Sequence, residues 1–336
     1  MATAQLIPTH TPQLFQAAVE EAARLLRSGE VVGLPTETVY GLAANALEPR
    51  AVARIFEIKG RPAHNPIIVH VASLDMARSC ASEWPPLANK LAAAFWPGPL
   101  TIVLSRAKEI PGIVTAGGRT VGIRWPSHPF IQGVIQACGF PLAAPSANLS
   151  NQISPTNAEH VRKQLGEKVP LIVDGGQCQV GIESTVIDLT VSPPRVLRPG
   201  MIHEEALLAV TGELSVGSER GLRILKSPGQ LPRHYAPKAE LIVLSWADES
   251  DLLQKLLTHH ASGSTHIIAH TRIPSSSGFA GVSVIPHDPE AFARALYAEL
   301  DRCDEAGATL IVVEALPETS EWRAISDRLK RAATRQ

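Results

Sequence analysis

Residues 59–71 read KGRPAHNPIIVHV, two fixed cations set directly against an apolar run. Ile67, Ile68 and Val69 have the β-branched composition of a buried strand. Upstream, PRAVARIFEIK (49–59) has the spacing of a short helix that delivers the stretch. Lys59 and Arg61 then sit two apart in a loop-like segment, where both can reach one anionic ligand. Both side chains stay charged at working pH, which suits a polyphosphate. On these residues alone, a solvated surface pair is the competing reading. His70 closes the run, and a histidine there is either a satisfied core group or a ligand.

Outward from this stretch, strand-like and helix-like segments alternate. Thr11 and Pro12 form a helix start, a capping hydroxyl followed by a proline in the first turn. Leu14, Phe15, Ala18, Val19, Ala22, Leu25 and Leu26 share one face, and Gly29 ends the helix. EVVGLPTE reads as a strand that breaks at Pro35. PIIVHV, LTIVLS, TVGIRW, PLAAPS, LIVDGG and STVIDLT are short, apolar and rich in strand formers. WPPLANKLAAAFW, HPFIQGVIQACG and NAEHVRKQLGE, which lie between them, have helical spacing. Two links, LTIVLS to TVGIRW and STVIDLT to RVLRPG, are too short for a helix, so a mixed α/β sheet is expected.

The composition shifts near residue 214, where Gly, Ser and Pro punctuate a basic, aperiodic segment, SVGSERGLRILKSPGQLPRHYAPKA. So long a connection favours a functional or spacer role. Beyond it, ELIVLSW, HIIAH, VSVIP and TLIVVEA alternate with helical stretches as a small second α/β domain.

The 336 residues, 45% hydrophobic and 19% charged, fit a globular chain of two domains. With 31 basic and 32 acidic residues the net charge is -1, so the chain as a whole is no general binder of nucleic acid, which leaves a local basic patch open. Cys80, Cys138, Cys178 and Cys303 are scattered, which suggests neither a disulfide frame nor a zinc site and favours a reduced, cytoplasmic setting. The opening MATAQLIPTHTPQLFQ has no basic or apolar leader region, and no run of about 18 apolar residues occurs, so neither a signal peptide nor a membrane span is expected.

A second unusual stretch, PLAAPSANLSNQISPT (141–156), is full of small side chains and hydroxyls. Small residues let a ligand approach the backbone, and Ser146 and Asn148 offer donors without bulk. Ser154 and Pro155 read as a helix start whose free N–H groups would favour an anion, or else as a capped turn. GIESTVIDL (181–189) sets Glu183, Ser184 and Thr185 ahead of a strand. Arg124 stands at the end of VGIRWP, and Arg198 precedes the turn Pro199-Gly200. No phosphate loop, dinucleotide fingerprint, nucleophile elbow or metal-ligand spacing occurs. The pattern therefore points to catalysis by positioning and charge neutralisation.

LPTETVYGLAANA, KGRPAHNPIIVHV, WPGPLTIVL, VGIRWPSHP, PLAAPSANLSNQISPT, DGGQCQVGIESTVIDL and VLRPGMI, taken in order, resemble the YrdC-like domain of threonylcarbamoyl-AMP synthases. SPGQLPRHYAPKAEL resembles the linker of that family's long, two-domain form. Asn151, where many relatives have Gly, and the middle of the linker depart from the family pattern. The resemblance implies a YrdC-like catalytic domain at 1–214 with a twisted mixed sheet and flanking helices. It further implies a linker at 215–238 that folds over the active site, and a smaller Rossmann-like α/β domain at 239–336.

It also implies a nucleotidyltransferase reaction. L-threonine, bicarbonate or carbon dioxide, and ATP with its magnesium would give threonylcarbamoyl-AMP and pyrophosphate. The product would feed the machinery that modifies adenosine 37 of tRNAs reading codons that begin with A. By the same resemblance Lys59, Arg61 and Asn65 belong to the phosphates, with Lys59 and Arg61 as the catalytic cations. Thr120, Ser146, Asn148, Ser154 and Arg198 would line the rest of the nucleotide site, and His234 or Tyr235 would close over it. Thr36, Thr38, His70, Arg124, the Ala144 backbone and Ser184 would hold threonine. Rejection of serine would rest on a methyl-sized space, worth about 10- to 200-fold. The alternatives are a non-catalytic module that grips tRNA or double-stranded RNA, and a carbamoyl-transfer enzyme with another donor.

Overall fold

The computed structural model describes residues 4–216, 226–228, 234–258 and 264–334. The chain divides into two compact units. One comprises Met1–Ser150 and Ser154–Leu231, the other Asn151–Ile153 and Pro232–Gln336.

The first unit runs β1 (Gln5–Pro8), α1 (Pro12–Arg27), β2 (Val32–Leu34), β3 (Gly41–Asn45), α2 (Pro49–Lys59) and β4 (Val69–His70). Then follow α3 (Leu74–Ser79), α4 (Pro86–Phe95), β5 (Leu100–Ser105), β6 (Thr120–Arg124), α5 (Pro129–Cys138) and β7 (Leu142–Ala143). The rest is α6 (Ala158–Leu165), β8 (Leu171–Asp174), β9 (Thr185–Asp188), β10 (Arg195–Arg198), α7 (Glu204–Thr211) and β11 (Ser215–Val216). The strands form one sheet in the order β1-β8-β2-β3-β7-β4-β6-β5-β9-β10-β11. Both expected hairpin-like links are antiparallel, β5 with β6 and β9 with β10, while β4–β6 and β5–β9 are parallel.

Helices cover both faces of this sheet, which explains why its strands read as continuous apolar runs rather than alternating ones. In β3, Leu42 and Ala44 enter one core, with Val52 and Ile55 of α2 and Leu91 of α4. Ala43 between them enters the other, with Leu26 of α1 and Phe130 and Val134 of α5. Helix α1 starts as its sequence predicts, with the Thr11 hydroxyl accepting from Leu14 N at 3.2 Å. Helix α2 ends at Gly60, whose φ of 59° is the left-handed turn that glycine enters without strain.

Four local expectations are corrected. Lys59 is the last residue of α2, not part of a loop, and at 2% exposure it is no surface cation. The strand expected at 66–71 shrinks to Val69–His70, because Pro66 brings no N–H and Ile67 N donates outside the sheet ladder to Val114 O. Ser154 and Pro155 do not open a helix: α6 begins at Ala158, where the Asn157 side chain accepts from His160 N, and Pro155 O accepts instead from Tyr40 N. The segment expected to be a spacer from 215 begins as β11, parallel to β10. Farther along that segment, Lys226 Nζ lies 2.9 Å from Asp188 Oδ2, and Arg198 Nη1 donates to Pro228 O at 3.5 Å. Residues 217–225 and 229–233, which the same expectation covers, lie outside the described residues.

The second unit contains β12 (Glu240–Leu244), α8 (Glu249–Thr258), β13 (Thr265–Ala269), β14 (Gly281–Val284), α9 (Pro289–Glu305), β15 (Leu310–Glu314) and α10 (Arg323–Ala332). Its sheet, β12-β15-β13-β14, is parallel throughout, as a Rossmann-like layer requires. Leu252 of α8, Ile267 of β13 and Val312 of β15 belong to its separate core. All four cysteines are unpaired, and Cys80, Cys178 and Cys303 are buried. No helix among the described residues is long and apolar enough to cross a membrane.

Candidate functional site

Lys59 is delivered by the last turn of α2 into the small-residue stretch that follows β7. Its ammonium donates to the Ser146 and Asn148 carbonyls and, at 3.3 Å, to Asn148 Oδ1. The Ser146 hydroxyl donates to the same Asn148 oxygen, and Ser150 N donates back to Lys59 O. Arg61 follows Gly60 and folds over its own turn, donating to the Asn65 and Pro66 carbonyls at 3.0 and 2.6 Å. Asn65 Oδ1 is buried and has no hydrogen-bond partner among the described residues. Burial, with the Arg61 charge added, pushes the Lys59 pKa well below the usual lysine range.

A second cluster forms where β4 and β6 run parallel and set His70 beside Arg124. The PTET segment packs against them. Thr36 Oγ1 donates to Val39 O at 2.6 Å and lies 3.0 Å from Thr38 Oγ1. Arg124 donates from Nη1 to Thr38 Oγ1 at 2.8 Å and from Nε to Gly98 O at 3.4 Å. Its Nη2 is paired with Glu37 Oε1 at 2.8 Å, both side chains being at most 4% exposed. Burial alone would raise the Glu37 carboxyl, but the Arg124 charge and the Ser127 N–H hold it below the usual range. Burial and the Arg124 charge together lower His70 to about 3, so its imidazole is neutral. Ala144 N joins this edge by donating to Ile68 O at 3.2 Å.

The third cluster centres on Ser184, at the entrance to β9. Arg198, at the end of β10, donates to Ser184 O and Oγ, both at 3.0 Å, and Thr101 Oγ1 lies 2.8 Å from Ser184 Oγ. Gly200 makes this packing possible, since a Cβ there would lie 2.4 Å from Thr185 N. The Ser154 hydroxyl donates to Glu183 Oε1 at 2.5 Å, and Gly181 N donates to Thr38 O at 3.1 Å, which ties the third cluster to the second.

Two amino-acid family models account for this arrangement. Residues 24–200 match Sua5_yciO_yrdC, described as "Telomere recombination", and residues 202–334 match the C-terminal domain of threonylcarbamoyl-AMP synthase. The chain belongs to the threonylcarbamoyl-AMP synthase family. It is 39% identical over 317 residues to the threonylcarbamoyl-AMP synthase of Pyrococcus abyssi (strain GE5 / Orsay), covering 93% of each chain. It is 39% identical over 336 residues to that of Bacillus subtilis (strain 168), covering 97% of this chain and 94% of the relative. A solved structure of P. abyssi Sua5 complexed with L-threonine aligns with a TM-score of 0.90 at 37% identity, covering 99% of this chain and 98% of that one.

The resemblance carried by the seven motifs is therefore borne out, and so is the α/β fold with its large mixed sheet and smaller parallel one. Within this threonylcarbamoyl-AMP synthase family member, Lys59, Ser146 and Asn148 meet directly, as do Thr36, Thr38 and Arg124, with His70 in register beside Arg124, and likewise Ser184 and Arg198. Thr120 stands apart, opening β6 opposite Ser105, four residues or about 13 Å of strand from Arg124. His234 and Tyr235 belong to the second unit, where Arg328 lies over the Tyr235 ring at 5.2 Å and Tyr297 stacks on it at 5.9 Å. Two residues escaped the sequence reading. Glu37 carried a signal, a lone carboxylate between two threonines, whereas Thr101 looks like any strand residue of LTIVLS.

Proposed function

We propose that the chain is an L-threonylcarbamoyladenylate synthase, a nucleotidyltransferase that converts L-threonine, bicarbonate or carbon dioxide, and ATP into threonylcarbamoyl-AMP and pyrophosphate. One observation carries the reading. Lys59 is 2% exposed, yet its ammonium rests on carbonyl and amide oxygens, with no carboxylate partner among the described residues. A buried ammonium without a counter-ion is expensive, and an arriving phosphate would offset that cost. Arg61 beside it adds charge for the same anion, with Asn65, Ser146, Asn148, Ser154, Thr120 and Arg198 as the proposed remainder of the nucleotide site.

Arg124 is the proposed partner of the threonine carboxylate, with Thr36, Thr38, His70, Ala144 and Ser184 around it. The threonine amine adds to carbon dioxide and loses a proton to give a carbamate. A carbamate oxygen then attacks the α-phosphorus, and the bond to pyrophosphate breaks. No enzyme nucleophile is needed; proximity and charge neutralisation suffice. Magnesium enters with the phosphates of ATP and asks little of the protein.

His234 and Tyr235 are proposed to meet the nucleotide and exclude water. The proposed product feeds tRNA modification at adenosine 37 in the cytoplasm. The test is pyrophosphate release by the full chain with threonine, bicarbonate and ATP, each omitted in turn. Release that ignores threonine, or none with all three present, would reject the assignment.

A further inference from the structure

We propose that Glu37 is the docking group for the ammonium end of the amino-acid substrate, so that Arg124 and Glu37 receive an α-amino acid as a zwitterion. This deepens the threonine reading and rests on it.

A guanidinium carries five N–H donors. In Arg124 one goes to Gly98 O and one to Thr38 Oγ1, while Nη2 is ion-paired with Glu37 Oε1 at 2.8 Å without a hydrogen bond among the described residues. That leaves an N–H on each terminal nitrogen, the donor pair a carboxylate can take in parallel. Glu37 is asymmetric in a complementary way. Its Oε1 takes both Arg124 and Ser127 N, the latter at 3.0 Å. Its Oε2 is buried and has no hydrogen-bond partner among the described residues. Such an orphaned acceptor is rare in a native interior and calls for a donor. The neighbouring backbone is fixed, with Val180 N donating to Glu37 O at 2.8 Å and Gly181 N to Thr38 O at 3.1 Å. Glu37 thus offers a positioned half-satisfied carboxylate beside a positioned half-satisfied guanidinium. An α-amino acid presents the reverse pair, a carboxylate and an ammonium bonded to the same carbon. A pair kept only for packing would gain from satisfying both of its oxygens, because burying charge costs more than the attraction returns unless the remaining lone pairs are filled.

The experiment compares L-threonine with β-hydroxybutyrate, which keeps the carboxylate, hydroxyl and methyl but lacks the amine. Both are titrated calorimetrically into the full-length wild-type chain and into Glu37→Gln, with ATP titrated as a control. Wild type should prefer threonine. Glu37→Gln should weaken threonine by about 10- to 100-fold, leaving β-hydroxybutyrate and ATP unchanged. Should the glutamine variant not fold, Glu37→Asp, which keeps the charge but withdraws it by one methylene, should show the same selective loss. Equal weakening of both ligands would overturn the proposal, since Glu37 would then act only through Arg124; so would no weakening of either. Wild-type protein that binds ATP but neither threonine nor its analogue would overturn the threonine reading itself, and this proposal with it.

Discussion

Lys59 shows how far single residues could be read. Its place beside Arg61 was visible in KGRPAHNP, whereas its use toward an anion rests on the proposal above. Its burial was not visible, because it depends on carbonyls nearly ninety residues away, at Ser146 and Asn148. Lys59→Ala should therefore cost about 1–3 kcal/mol, by stripping those carbonyls of their donor, and should abolish ATP binding. Lys59→Met strips the same carbonyls but leaves no cavity, so it should lose ATP binding with a smaller loss of stability. Urea midpoints beside ATP titrations would separate the two effects.

His70 makes a pH-dependent prediction. Its folded value of about 3 lies below the unfolded value of about 6.5, so the fold favours the neutral ring. The associated stability is complete above pH 6.5 and is lost at about 1.4 kcal/mol per unit as pH falls toward 3. Between pH 7 and 4.5, wild type should lose about 2–3 kcal/mol more than His70→Gln in urea unfolding; parallel profiles would contradict the buried, neutral assignment. Glu37 was visible as a carboxylate between two threonines, but its role was not, because its partner Arg124 lies far away in sequence.

Elements were easier to read where the local chemistry acts alone. Helix α1 follows from a hydroxyl cap and a first-turn proline, and α2 from a first-turn proline and a closing glycine, all within a few residues. The false helix start at Ser154 arose because the competing partner, Tyr40 N, is remote. β11 was missed because two residues carry no period. Asn151, which departs from the motif it resembles, has a φ of 68°, and asparagine is the residue that best tolerates that region after glycine. The departure noted in the sequence thus preserves the turn. Gly60 and Gly200 should respond differently to alanine. At Gly60 nothing lies within 4 Å of a Cβ, so only the left-handed φ is penalised, by about 1–2 kcal/mol. At Gly200 the new carbon would strike the Thr185 backbone, so Gly200→Ala should lose more stability and also weaken ATP binding through Arg198. Thermal midpoints of equal size for the two variants would refute the distinction.

At the scale of the whole chain, the two α/β layers could be read from their alternation, whereas the first unit runs on past the break in periodicity near residue 214. Strand order could not, since β7 and β8 are inserted beside strands far earlier in sequence. Each unit has its own core. Leu26→Ala in the first and Leu252→Ala in the second should each cost about 2–5 kcal/mol. In scanning calorimetry each substitution should move a different part of the unfolding profile. Identical displacement of the entire profile by both would mean that the cores melt as one.

The unpaired cysteines carry a practical corollary. Burial lifts the Cys80 and Cys138 thiols to about 11 and Cys303 to about 12, and raises Cys178 as well. Only the ionised sulfur is nucleophilic. The folded protein should therefore shrug off iodoacetamide at neutral pH and keep its activity through aerobic storage. Rapid alkylation would serve as a simple readout of opened molecules.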